Sequence, residues 1–195
     1  MGEVGGDLSC DYRFRIVVHG GNGAGSSSLL NRFCHDSFHP NPSSHGCGDG
    51  GVVSAHSYFR LIMLEDAVIR LHVLAGELGR NPGWRHTDGV LVVFDLMDPN
   101  ARSSLEESLQ KVERFAKVDV CTLIVGNKSD LPFDRSALMQ LEETFNTQFL
   151  LTSAKTSANV DAAFALLTSQ LFSRIDRPAP SIKKITNRSA KCWLM

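Results

Sequence analysis

Short, mainly apolar runs that each break off into glycine or a polar turn constrain this chain most. Residues 14–19, 90–94, 121–125 and 149–151 are of this kind. Runs of that length without polar alternation suit strands covered on both faces, as in a parallel sheet. Between them lie segments with apolar residues at helical spacing. Leu105, Leu109, Val112 and Phe115 form one stripe, and Ala163, Leu166, Leu167 and Leu171 another; both read as core faces without chemistry. Residues 52–64 and 67–74, joined at Glu65 and Asp66, read as an antiparallel pair. The alternation predicts a doubly wound α/β fold with ligands at the carboxyl ends of the strands.

Two of those ends carry chemistry. After residues 14–19 comes Gly20-Gly21-Asn22-Gly23-Ala24-Gly25, and then a helix opening on Ser26, Ser27 and Ser28. The spacing is that of G-x-x-x-x-G-K-[ST], a loop whose backbone N–H groups cradle phosphates at a helix N-terminus. Ser26 stands at the lysine position. The hydroxyl position that would hold Mg²⁺ is filled by Ser27. Further on, residues 121–125 run into Gly126-Asn127-Lys128-Ser129-Asp130, and residues 149–151 into Thr152-Ser153-Ala154-Lys155. A fixed carboxylate such as Asp130 can accept from guanine's N1–H and exocyclic amine, which adenine cannot reciprocate. The Lys128 stem can lie along a purine face, and Asn127 can tie neighbouring loops.

On these motifs the chain resembles the Ras superfamily of small GTPases, and within it the Rab branch. Residues 11–14, 89–95 and 153–160, followed by Ala163 and Phe164, carry the likeness, which spans about residues 11–175. It implies a P-loop fold with a mostly parallel six-stranded sheet and helices on both faces. It also implies GTP or GDP held by Gly20, Asn22, Gly23, Ala24, Gly25, Ser26, Ser27, Ser28, Asn127, Lys128, Asp130, Ser153, Ala154 and Lys155, with Mg²⁺ on Ser27. The family's Asp-x-x-Gly loop falls on Val73 to Gly76, so Gly76 is kept while valine replaces the aspartate; Glu77 takes the place of the water-orienting glutamine. No threonine precedes Thr87, leaving Ser43 or Ser44 to act for the switch threonine. Residues 34–51 read as longer than the usual first switch and residues 77–88 as shorter than the second. With Ser26, Val73 and Glu77 in place, any intrinsic GTP hydrolysis is expected to be very slow. An interaction scaffold that has lost the switch is the alternative. An ATP-using P-loop enzyme fits poorly, since the base motifs read guanine.

Residues 1–10 read as a flexible, Gly-rich lead without a secretory signal, and Gly6 stands where a myristoylation motif needs Ser or Thr. Five cysteines without framework spacing suit a reducing compartment. Cys34, Cys47 and His35, His39, His45 and His56 match no zinc pattern. Residues 176–195 change character: prolines, five Lys or Arg against one acidic residue, and Cys192 fourth from the end. The tail carries +4 and the remainder −5, which the net −1 conceals. A basic stretch beside a C-a-a-X box predicts prenylation of Cys192, although Trp193 is bulky for its position, and anchoring on the cytoplasmic face of a membrane. Expected partners are effectors and regulators through residues 34–51 and 73–88, with a monomeric chain and no nucleic-acid partner.

Overall fold

A computed structural model of the chain describes residues 10–39, 57–76 and 85–175. The central strand explains the architecture. In β4 (Gly89–Asp95) every residue but the last is buried, so both faces of the sheet must be covered. Around it runs one six-stranded sheet of β1 (Tyr12–Gly20), β2 (Ser57–Leu64), β3 (Ala67–Ala75), β5 (Cys121–Asn127) and β6 (Leu150–Leu151), in the order β2-β3-β1-β4-β5-β6. Only β2 runs antiparallel, paired with β3 through the turn at Glu65, whose φ is +54°.

Alternate residues of each strand feed opposite layers. Ile16 and Val18 of β1, with Leu91 and Val93 of β4, pack under α1 (Ser26–His35) and α4 (Val160–Ser173). Val17, Val90, Val92 and Phe94 pack under α2 (Ala101–Phe115) and the partly buried side chains of α3 (Arg135–Phe145). The first layer includes Phe33 of α1 stacked on Phe164 of α4, ring centroids 3.7 Å apart.

The fold is the doubly wound α/β sheet expected, with helices on both faces. One core assignment changes. Leu166 is 43% exposed, whereas Phe164 is fully buried. The inward face of α4 is Val160, Ala163, Phe164, Leu167, Thr168, Leu171 and Phe172. Because α4 is apolar nearly all round, its sequence periodicity alone could not fix which side faces in.

Candidate nucleotide site

The carboxyl ends of β1, β3 and β5, with the loop after β6, open onto one cavity of about 1160 Å³. It is lined by Gly20, Asn22, Gly23, Gly25, Ser26, Ser27, Ser28, Gly76, Asn127, Lys128, Asp130, Ala154 and Lys155. Two further sequence-selected residues act behind that wall. Ala24 is buried and offers its carbonyl to Asn127, while the fully buried Ser153 orients Asp130. Thus the phosphate-type and base-type motifs, a hundred residues apart, share one site. Glu77, Ser43, Ser44 and Cys192 lie outside the described residues.

The phosphate loop is shaped by two left-handed glycines, Gly23 at φ +80° and Gly25 at φ +87°. Gly25 also approaches Asn127 so closely that a Cβ there would fall 2.5 Å from Asn127 Nδ2. From Gly25 the chain enters α1, whose first turn directs its N–H groups to the cavity. Ser27 is exposed at that mouth. Ser26 behaves differently. Its Oγ is buried, turned toward Gly20, and has no hydrogen-bond partner. What Ser26 offers a phosphate is therefore its backbone N–H.

At the opposite end, Asn127 bridges the loops. It is 1% exposed; its Nδ2 donates to the Ala24 carbonyl at 2.9 Å and its Oδ1 accepts from the Ala154 N–H at 3.2 Å. Asp130 is held at both oxygens, by the Ser153 hydroxyl at 2.6 Å and by Lys155 Nζ at 3.7 Å. The Ser153 hydrogen bond, with smaller contributions from the backbone and Lys155, outweighs desolvation and lowers the carboxyl pKa below its ordinary 3.8. The carboxylate is thus fixed in direction and retains lone pairs for a ligand. Lys128, at φ +68°, lays its ammonium 2.6 Å from Asp95 Oδ2. Asp95, at the end of β4, thereby sets the path of the Lys128 stem. Arg32 of α1 donates to the carbonyls of Ala154 at 2.9 Å and Lys155 at 3.1 Å, joining the helix after the phosphate loop to the base loop.

The donor set fits a guanine nucleotide better than it fits a metal. Val73 is fully buried, pairing with Ile16 and Tyr58 across the sheet, so methyl groups occupy the position of the family's metal-orienting aspartate. Ser27 is the hydroxyl at the motif's Mg²⁺ position. Among the described residues no group of three His, Cys, Asp or Glu side chains is placed to hold a metal.

Sequence reasoning missed a polar wall. His19, 3% exposed at the end of β1, puts Nδ1 3.3 Å from the Gly76 carbonyl. Ser104, Glu107, Ser108 and Lys111 of α2 also line the cavity. The available signal was the spacing 104, 107, 108, 111, a helical face that reads equally well as a solvent-facing one.

Comparison with known proteins agrees with this geometry. The sequence model of the Ras family matches residues 15–173. The GTP-binding protein ypt1 of Schizosaccharomyces pombe is 29% identical over 175 residues, covering 85% of this chain and 83% of its own length. The chain belongs to the Ras family of small GTPases.

Proposed function

We propose that this chain is a GDP- and GTP-binding switch, read at the base by Asp130 and Lys128 and cradled at the phosphates by the loop from Gly20 to Ser27. The observation that carries this reading is the Asp130 carboxylate, clamped by Ser153 and Lys155 in the cavity that the phosphate loop also lines. When bound, Mg²⁺ would neutralise phosphate charge beside Ser27. Hydrolysis is slow in this reading, because phosphoryl transfer asks mainly for positioned charge, and Ser26 and Val73 supply none. Residues 34–51 and 73–88 serve as the effector and regulator surface. Prenylated Cys192 and the basic tail hold the chain on the cytoplasmic face of a membrane, in vesicle traffic or signalling.

The test is binding of fluorescent GDP and a non-hydrolysable GTP analogue, with Mg²⁺ and with chelator. Guanine-selective binding is expected, and Asp130→Asn should weaken it and shift preference toward xanthosine nucleotides. Unchanged base selectivity in that variant overturns the base assignment. Isoprenoid label entering Cys192→Ser as well as wild type overturns the anchor.

A second reading, a membrane-tethered scaffold that lost the switch, is favoured by the buried Val73 side chain and the inward Ser26 hydroxyl. It predicts binding identical with and without Mg²⁺, and partners that do not distinguish GDP from GTP.

A further inference from the structure

The phosphate end of the cavity has lost its lysine from the loop, yet the cavity is not short of cations. Among its described lining residues three carry an ammonium group, Lys111, Lys128 and Lys155. Lys128 is committed to Asp95 and Lys155 to Asp130, both at the base end. Lys111 belongs to the other end. It rises from α2, which abuts the phosphate loop so closely that a Cβ on Gly21 would lie 2.4 Å from Ser104 Oγ.

The cavity-facing residues of α2 form a continuous polar face. Ser103, Ser104, Glu107, Ser108 and Lys111 fall within an arc of about 140° at 3.6 residues per turn, while Ala101, Leu105 and Val112 bury the neighbouring arc. Lys111 is seven residues beyond Ser104, roughly 10 Å along the axis. Helical side chains lean back toward the N-terminus, which turns its ammonium toward the loop. There it meets Glu107 Oε1 at 2.7 Å.

Sheet order says which phosphate this face would meet. Asp130 follows β5, the phosphate loop follows β1, and Gly76 follows β3. From β5 through β4 and β1 to β3 is three strand spacings, roughly 14 Å. A nucleotide with its base at Asp130 and its phosphates on the loop therefore directs its terminal phosphate toward Gly76 and His19. Helix α2, which packs on β1 and β4 and meets the loop at Gly21, walls the cavity beside them.

We propose that Lys111 is the cation that meets the terminal phosphate of GTP in place of the missing loop lysine, exchanging its Glu107 partner for that phosphate. The proposal rests on the nucleotide reading above. It makes Lys111 a determinant of GTP over GDP, since the shorter diphosphate stops nearer the loop.

The experiment measures affinities of the full chain for fluorescent GDP and for a non-hydrolysable GTP analogue. Lys111→Gln should weaken the analogue about tenfold and GDP less than about threefold, as expected for losing one charge-assisted contact at a partly exposed site. Glu107→Gln frees the ammonium and should tighten the analogue severalfold, a gain that structural damage would not give. In a Ser26→Lys background, where the loop supplies its own cation, Lys111→Gln should cost about twofold or less. Equal losses for both nucleotides, no loss for either, or weakening by Glu107→Gln overturns the role of Lys111 while GDP binding by the wild type leaves the nucleotide reading intact. A wild-type chain that binds neither nucleotide overturns both.

Discussion

Replacing Asn127 by alanine tests whether one side chain couples the two halves of the site. Asn127 is buried, and its amide satisfies the Ala24 carbonyl and the Ala154 N–H at once. Alanine leaves both backbone groups without that partner. Stranding a buried donor or acceptor costs about 1–3 kcal/mol each. Two such groups, partly relieved by water from the adjoining cavity, give about 2–4 kcal/mol. With a urea dependence of about 2 kcal/mol per molar, the unfolding midpoint should fall by about 1–2 M. Asn127→Asp is the sharper companion. It keeps an acceptor for the Ala154 N–H but turns a carboxylate oxygen toward the Ala24 carbonyl, so it should destabilise at least as much. Urea denaturation of the three purified chains, followed by tryptophan fluorescence and far-UV circular dichroism, reads the effect. A midpoint lowered by less than about 0.3 M in the alanine variant, or an aspartate variant as stable as wild type, would refute the bridge.

Other substitutions discriminate with paired controls. Gly25→Ala should lower stability by about 1–2 kcal/mol for its left-handed φ, and by more for the Asn127 collision, whereas Gly23→Ala, with nothing within 4 Å of the added Cβ, should cost only the backbone part; equal thermal shifts would contradict this. Phe164→Ala removes a fully buried ring and should cost about 3–5 kcal/mol, while Leu166→Ala should stay within about 1 kcal/mol; similar midpoints would contradict the α4 orientation. The stability from the lowered Asp130 pKa is fully present above pH 3.8 and is lost as the pH falls through the lower folded value. Ser153→Ala should move the carboxyl back toward its ordinary value in an NMR titration, and an unmoved titration argues against the Ser153 hydrogen bond as its main cause. Burial pushes the Cys34 thiol up to about 11, so iodoacetamide at pH 8 should label Cys34 far more slowly in the native chain than in urea; mass spectrometry showing equal rates would count against its burial.

The sheet could be read from composition of short segments because burial on both faces leaves little choice of residue. In β4, for example, Val90 to Phe94 are all enclosed. The base and phosphate motifs were legible for a related reason, since each needs particular atoms at a strand end. What sequence could not supply was adjacency. Nothing in the spacing of Ser104 and Lys111 says that α2 lies against Gly21, because that contact comes from the crossover between β4 and β5. His19 likewise sits among apolar strand residues, and only the pairing of β1 with β3 brings its ring to Gly76. The strand at residues 149–151 shrank to two residues, the Phe149 N–H being donated to Glu142 Oε1 at 2.9 Å instead of to β5.

The two-residue length of β6 has a consequence for how the molecule loosens. That strand holds its neighbour through only Val125 opposite Leu150 and Gly126 opposite Leu151, and α3, which leads into it, has no buried residue. Regions with little burial and few protected backbone bonds open at lower free energy than the core. The loose part of this edge is therefore α3, because Arg32 reaches across from α1 to the loop after β6, and the Thr152 N–H bonds the Gly126 carbonyl at 2.8 Å. Amide exchange should therefore reach α3 before β4 or β5, while the buried loop from Thr152 to Ala154 stays protected.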